Sequence, residues 1–236
     1  GALAAGDNVI GALTWNVLLS TGSPTIDHTN GVGITCTPNV SVNTQALAAN
    51  VYSLLTASNL NPIRVSMVVD SISINTNSQA VVSMVGSGSQ ATSGSSRVPT
   101  FSVRLHRTSS TDFKMRTLSN GTGSTIGATN GITQTTGITM KASMPTQAVF
   151  ETYIYGPMCA GLITVDTNTI PTAVTDPFTS VFEPNSTYNR AFFMASIVDR
   201  TTAIDPWPAL WVGPGINGTG TNSYSYIIKR ILIEEM

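Results

Sequence analysis

The chain has 236 residues, with 11 Lys and Arg against 12 Asp and Glu for a net charge of -1, and 41% of it is hydrophobic. Ser, Thr, Asn and Gly supply 97 residues, so hydroxyls and amides solubilise a surface that in an ordinary domain is about one quarter charged. This balance excludes a disordered chain and a basic nucleic-acid tail, and no apolar run approaches the roughly 18 residues of a membrane-spanning helix. The opening Gly1 to Asn8 has neither a basic n-region nor a cleavage pattern, so no secretory leader is expected.

Taken in order, the segments Val9 to Leu19, Ile63 to Ile74, Ala80 to Val85, Phe101 to Arg107, Phe113 to Leu118, Ile138 to Ala142, Ala148 to Tyr155, Ala191 to Val198 and Tyr224 to Glu234 carry β-branched or aromatic residues. They alternate with polar residues or run continuously apolar, as strands do. Turn clusters such as Asn75-Thr76-Asn77-Ser78 and Asn120-Gly121 separate them. One stretch breaks the pattern. From Thr44 to Ser58, Leu47, Val51, Leu54 and Leu55 recur at helical spacing among Ala46, Ala48 and Ala49, and Pro62 closes the run, which predicts a single short helix between early strands. Thr164 to Ser186, with Pro171, Pro177 and Pro184, is expected to run extended as a loop. The expected fold class is all-β, an antiparallel β-sandwich with that one helix, forming one domain over residues 1–236 with long loops.

Catalytic patterns are sparse. His28 and His106 are the two histidines, and no GxSxG, HExxH, Walker A loop or suitably placed GxGxxG accompanies them. Glu151, on a strand with parity opposite to Phe150 and Ile154, and Glu183 could act as a carboxylate pair of the glycosidase kind, but each also reads as a solvent-side residue. Asp166, Asn168, Asp199 and Asp205 offer oxygen ligands without EF-hand spacing. The expectation is therefore a non-enzymatic chain with no cofactor and no metal. Cys36 and Cys159 are too few for a disulfide scaffold and lack CxxC spacing.

Two features stand out. Between Arg97 and Leu118 five cations face the single Asp112. Alternation puts Phe101, Val103, Leu105, Phe113 and Met115 on one side of a hairpin turning at Thr108 to Asp112, and Arg104, His106, Lys114 and Arg116 on the other. That second face suits an anionic glycan, a phosphate group or RNA; a solvated face or intersubunit ion pairs are the alternative. Trp207 and Trp211, four residues apart in a proline-stiffened loop, suit sugar stacking or a protein interface, or else plug the end of a sandwich.

The order of elements also carries a resemblance. Gly33-Ile34-Thr35-Cys36-Thr37-Pro38-Asn39 ends the early strands, an Ala- and Leu-rich stretch holding Tyr52 follows, then Ile63 to Ile74, a Thr/Asn turn and Ala80 to Val85. This succession over residues 9–86, with the Lys-poor composition, resembles the jelly-roll coat proteins of small icosahedral RNA viruses. It implies a capsid or spike subunit of a virion that assembles with copies of itself, with genomic RNA or a host glycan receptor as further partners. The chain begins Gly-Ala-Leu-Ala-Ala, where many such proteins have a basic arm. The competing expectation is a carbohydrate-binding or adhesin β-sandwich of a secreted or surface protein using Trp207 and Trp211.

Overall fold

The computed structural model describes residues 15–16, 25–27, 32–36, 48–50, 63–76, 78–87, 101–119, 132–133, 138–141, 143–155, 158–175, 190–196, 210–215 and 223–236. They form fifteen strands: β1 (Trp15–Asn16), β2 (Thr25–Asp27), β3 (Val32–Cys36), β4 (Ala48–Asn50), β5 (Ile63–Ile74), β6 (Ser78–Ser87), β7 (Phe101–Ser109), β8 (Asp112–Ser119), β9 (Ile132–Thr133), β10 (Ile138–Lys141), β11 (Ala148–Tyr155), β12 (Met158–Val165), β13 (Arg190–Ser196), β14 (Leu210–Gly215) and β15 (Tyr224–Glu235). Every pairing is antiparallel.

One sheet runs β1-β4-β14-β6-β7-β8-β10, with β9 attached to β8; the other runs β13-β12-β11-β5-β15-β3-β2. We call them sheets A and B. They pack through β13 and β12 against β8 and β7, and through β5, β11 and β15 against β6. Period-two alternation supplies the apolar layer between them: Val103, Leu105, Phe113 and Met115 from sheet A meet Val65, Met67, Val69, Phe150 and Ile163 from sheet B, all buried. Arg107 ties the two sheets at one end. Its Nη1 donates to the Ile74 carbonyl at 2.8 Å, and its guanidinium lies 5.5 Å from the centre of the Phe113 ring, a cation–π contact.

The antiparallel β-sandwich expected from the sequence is the fold observed. Its inserted helix is corrected where residues are described: Ala48–Asn50 is strand, not helix. Those residues pair with Trp15 and Asn16 on one side and with Trp211 and Val212 on the other, so ladder hydrogen bonds from two remote segments override the helix preference of alanine. The remainder of Thr44 to Ser58 lies outside the described residues. Trp211 is likewise in strand β14, not in a loop. The ladder of β14 with β6 shifts register between Gly213 and Gly215, at Pro214, which has no N–H to donate.

The two cysteines sit in one sheet but not together. Cys36 is on β3 and Cys159 on β12, with β15, β5 and β11 between them. Four strand spacings amount to roughly 19 Å, far beyond the reach of a disulfide within the chain.

Phe113 is fully buried on the inner face of sheet A. Its replacement by Ala is expected to cost about 3–5 kcal/mol, seen as a lower urea midpoint with an unchanged denaturant slope; a change under about 1 kcal/mol would contradict this packing of the two sheets.

Candidate functional site

The β7–β8 hairpin turns at Ser110 and Thr111, since Ser109 pairs with Asp112. Side chains close it locally: Thr108 Oγ1 hydrogen-bonds the Asp112 carboxylate and the Thr111 N–H donates to Ser109 Oγ at 3.3 Å, the short polar chemistry such turns use. This turn fixes the register, which sets Arg104 opposite Arg116 and His106 opposite Lys114. With Val103, Leu105, Phe113 and Met115 sealed inward, these four positions share the outer face of sheet A.

Neighbouring strands extend that face. Gln79 of β6 lies opposite His106 and Thr139 of β10 lies opposite Lys114. Gln79, His106, Lys114 and Thr139 thus form one row across four strands, about 14 Å from end to end. Arg104, opposite both Val81 and Arg116, belongs to the next row.

The charges in these rows are unequal. Lys114 Nζ is 3.3 Å from Asp112 Oδ2, and both side chains are partly exposed, so that cation is already partly balanced by a pair worth little on its own. Arg104 is buried, and the residue opposite it on the ladder is a second arginine, Arg116.

A different arrangement occupies the outer face of sheet B. Arg64 of β5, Glu151 and Tyr153 of β11 and Glu234 of β15 lie together there, and the first three are buried. Strand pairing explains the meeting, because Arg64 is opposite both Tyr153 and Glu234. Glu151 Oε1 accepts hydrogen bonds from Arg64 Nε at 2.9 Å, from Arg64 Nη2, and from the Tyr153 hydroxyl at 2.9 Å. Arg64 Nη1 donates to Glu234 Oε2 at 2.9 Å, and its guanidinium carbon is 5.9 Å from the centre of the Tyr153 ring.

Residues 166–175, which follow β12, cover this cluster. The Arg64 Nη2 group also donates to the Pro171 carbonyl, the Val174 N–H donates to the Tyr153 hydroxyl at 3.1 Å, and Val174 packs on Tyr153, Ala160 and Leu162.

Burial works to lower the pKa of Arg64, but the charge of Glu151, with Tyr153 and Glu234 behind it, outweighs burial and raises it. Burial, followed by the Glu151 charge, pushes the Tyr153 phenol up to about 12.

The sequence-predicted residues therefore divide. Arg104, His106, Lys114 and Arg116 are set opposite one another by the register of β7 and β8. Trp211 is placed on β14, opposite Gly86, while Trp207, His28, Glu183, Asp199 and Asp205 lie outside the described residues. Glu151 is buried and not solvent-side, enclosed by residues 166–175 and the Arg64 guanidinium, and its expected partner Glu183 is outside the described residues. Among the described residues no three His, Cys, Asp or Glu side chains converge as a metal site would require. Sequence reasoning missed Gln79 and Thr139, whose only signal is their parity on strands flanking the hairpin. It also missed Arg64 as the shared partner of Glu151 and Glu234, because 87 and 170 residues of sequence separate the hydrogen-bonded pairs.

The Tyr153 shift sets a pH dependence. Below about pH 10 the phenol is protonated in both folded and unfolded chains, and its stabilising contribution is fully present. As pH rises from about 10 the unfolded phenol ionises first, so stability falls until the folded group titrates near 12. Urea unfolding followed from pH 9 to 12 should show the wild type losing about 2–3 kcal/mol more than Tyr153→Phe over that window; parallel curves for the two proteins would refute the assignment.

No protein-family model and no curated protein matches this chain. Among solved structures, the chain is similar to an alginate lyase from Pseudomonas aeruginosa, at 10% identity over 94% of this chain and 98% of that one, with a TM-score of 0.50. It is equally similar, at a TM-score of 0.50, to an alginate lyase from Klebsiella pneumoniae, with 7% identity over 90% of this chain and 84% of that one. A functionally unknown protein from Saccharomyces cerevisiae shares 8% identity over 96% and 98% of the two chains, again with a TM-score of 0.50. None of the three is a viral coat protein. The expectation of a non-enzymatic chain is corrected by these likenesses: two proteins built on the same framework are enzymes, so the lack of a short catalytic motif is no ground for excluding catalysis. What the likenesses share with this chain is its fold, the antiparallel β-sandwich of jelly-roll type.

Proposed function

We propose that this chain is a carbohydrate-recognising β-sandwich that engages an acidic polysaccharide on the outer face of sheet A. The observation that carries the reading is the cross-strand register of β7 and β8, which sets Arg104 against Arg116 and His106 against Lys114 on one face. An acidic polysaccharide repeats a carboxylate along an extended chain, and guanidinium groups meet carboxylates through two parallel hydrogen bonds. The flanking positions of the same row are Gln79 and Thr139, residue types that pair with sugar hydroxyls. Similarity in fold to two alginate lyases supports a polymer of uronic acid as the first ligand to test.

His106 favours a further reading, cleavage of the bound polymer by elimination. Cations that neutralise a uronate carboxylate acidify the adjacent C–H; a base takes that proton, a carbon–carbon double bond forms and the bond to the departing glycosidic oxygen breaks. The imidazole at position 106, opposite Lys114 on the ladder, is a group able to accept and return a proton.

The two readings are tested on the intact protein with alginate and with neutral dextran. Arg116→Ala is expected to weaken alginate binding about tenfold or more, the usual loss when a charged hydrogen-bonding partner is removed, while Lys229→Ala, at an exposed position of β15 in the other sheet, leaves it unchanged. Growth of ultraviolet absorbance from unsaturated uronate ends, abolished in His106→Ala, would establish cleavage. Equal binding of dextran and alginate, or an unchanged affinity in Arg116→Ala, would overturn the proposal.

A further inference from the structure

Residues 166–175 make no strand ladder, yet they lie across the outer face of sheet B. The segment leaves β12 through Asp166, whose φ of 61° is left-handed, a conformation that short polar residues tolerate better than most. The Asp166 N–H donates to the Gln147 carbonyl at 2.9 Å, which reverses the chain over the sheet. Beyond that point two backbone groups of the segment meet side chains of the sheet: the Pro171 carbonyl accepts from Arg64 and the Val174 N–H donates to the Tyr153 hydroxyl. Thr167 holds the strap's own bend, its Oγ1 accepting from the Thr169 N–H at 3.1 Å. Asp166, Asn168, Thr169, Thr172 and Thr175 are exposed.

Both attachments are organised by one atom. Glu151 Oε1 receives Arg64 and Tyr153 at once, so the two groups that hold the strap are themselves aimed by a single carboxylate oxygen. An apolar cluster of the same volume would serve as a permanent cover at least as well, since buried ion pairs rarely gain stability over well-packed hydrophobes. A charge hub instead makes closure conditional on that carboxylate. From this geometry we propose that residues 166–175 form a releasable strap, latched through Glu151 by Arg64 and Tyr153, whose release uncovers Tyr153, Ala160 and Leu162 without unfolding the sandwich. A segment that lies outside the strand ladders and is fastened through side chains of the sheet belongs to the low-stability end of a fold, where local opening is independent of global unfolding.

Native-state hydrogen exchange read by mass spectrometry on the full chain tests this. In the wild type, amides of residues 166–175 should exchange at least about tenfold faster than those of β11 and β12. Glu151→Gln, which keeps the shape and removes the charge, should accelerate strap exchange a further tenfold or so and open the segment to proteolysis while β7 and β8 stay protected. Tyr153→Phe is the gentler variant and covers the case in which Glu151→Gln does not fold. It removes only the hydroxyl and should speed exchange around Val174 while leaving the Asp166 amide, held by Gln147, as it was. Strap exchange at the rate of the β11–β12 ladder in the wild type, or strap exchange unchanged in Tyr153→Phe, would overturn the proposal.

Discussion

Strand β5 is buried at every residue from Ile63 to Val69, and because its side chains alternate between faces, both faces of sheet B must be covered along this line. Inward, Ile63, Val65, Met67 and Val69 meet the apolar residues of sheet A. Outward, the same alternation presents Arg64, Ser66 and Val68, and a guanidinium taken out of water must be paired. The neighbours that ladder onto β5 supply the partners, Glu151 and Tyr153 from β11 and Glu234 from β15. The chain beyond β12 then folds back to complete the cover. The strap, the hub and the sheet order are thus consequences of one strand buried on two sides.

Sheet A meets the opposite condition. Its β7–β8 hairpin gives one face to the core and leaves the other to polar residues, and register then concentrates cations on that outer face. The two sheets differ in this: on β5 and β11 of sheet B the Arg64 and Glu151 charges are paired and enclosed, while sheet A sets cations on a face at which His106 and Lys114 remain accessible. With only 11 Lys and Arg in the whole chain, three of them, Arg104, Lys114 and Arg116, fall on this one hairpin face.

Much of the framework is legible in the sequence. Ile63–Ile74 and Ala148–Tyr155 are found with the ends that alternation predicts, and the opposing faces of the hairpin follow from parity at Arg104, Leu105, Lys114 and Met115. What alternation cannot carry is pairing between distant segments. Ala48–Asn50 has helical spacing around it, and only the approach of Trp15 and Trp211 makes it a strand. Strand β12, Met158–Val165, escapes notice because it begins Met-Cys-Ala-Gly and is enclosed at Ala160 to Ile163, which erases the alternation that marks a half-buried strand. Glu151 shows both sides of the problem: its parity is readable, but its burial depends on Arg64 and on a strap that sequence shows only as a proline-rich loop.

A fold shared with alginate lyases at very low identity says little by itself about ligands; the chemistry must come from the residues on the face. Calorimetric titration of the native protein with an alginate oligosaccharide and with a neutral oligosaccharide of equal length, at low and at high ionic strength, tests that claim most directly. The account predicts binding of the acidic oligosaccharide alone, weakening steeply as salt rises and the cations of sheet A are screened. Binding that ignores salt, or that favours the neutral sugar, would contradict it.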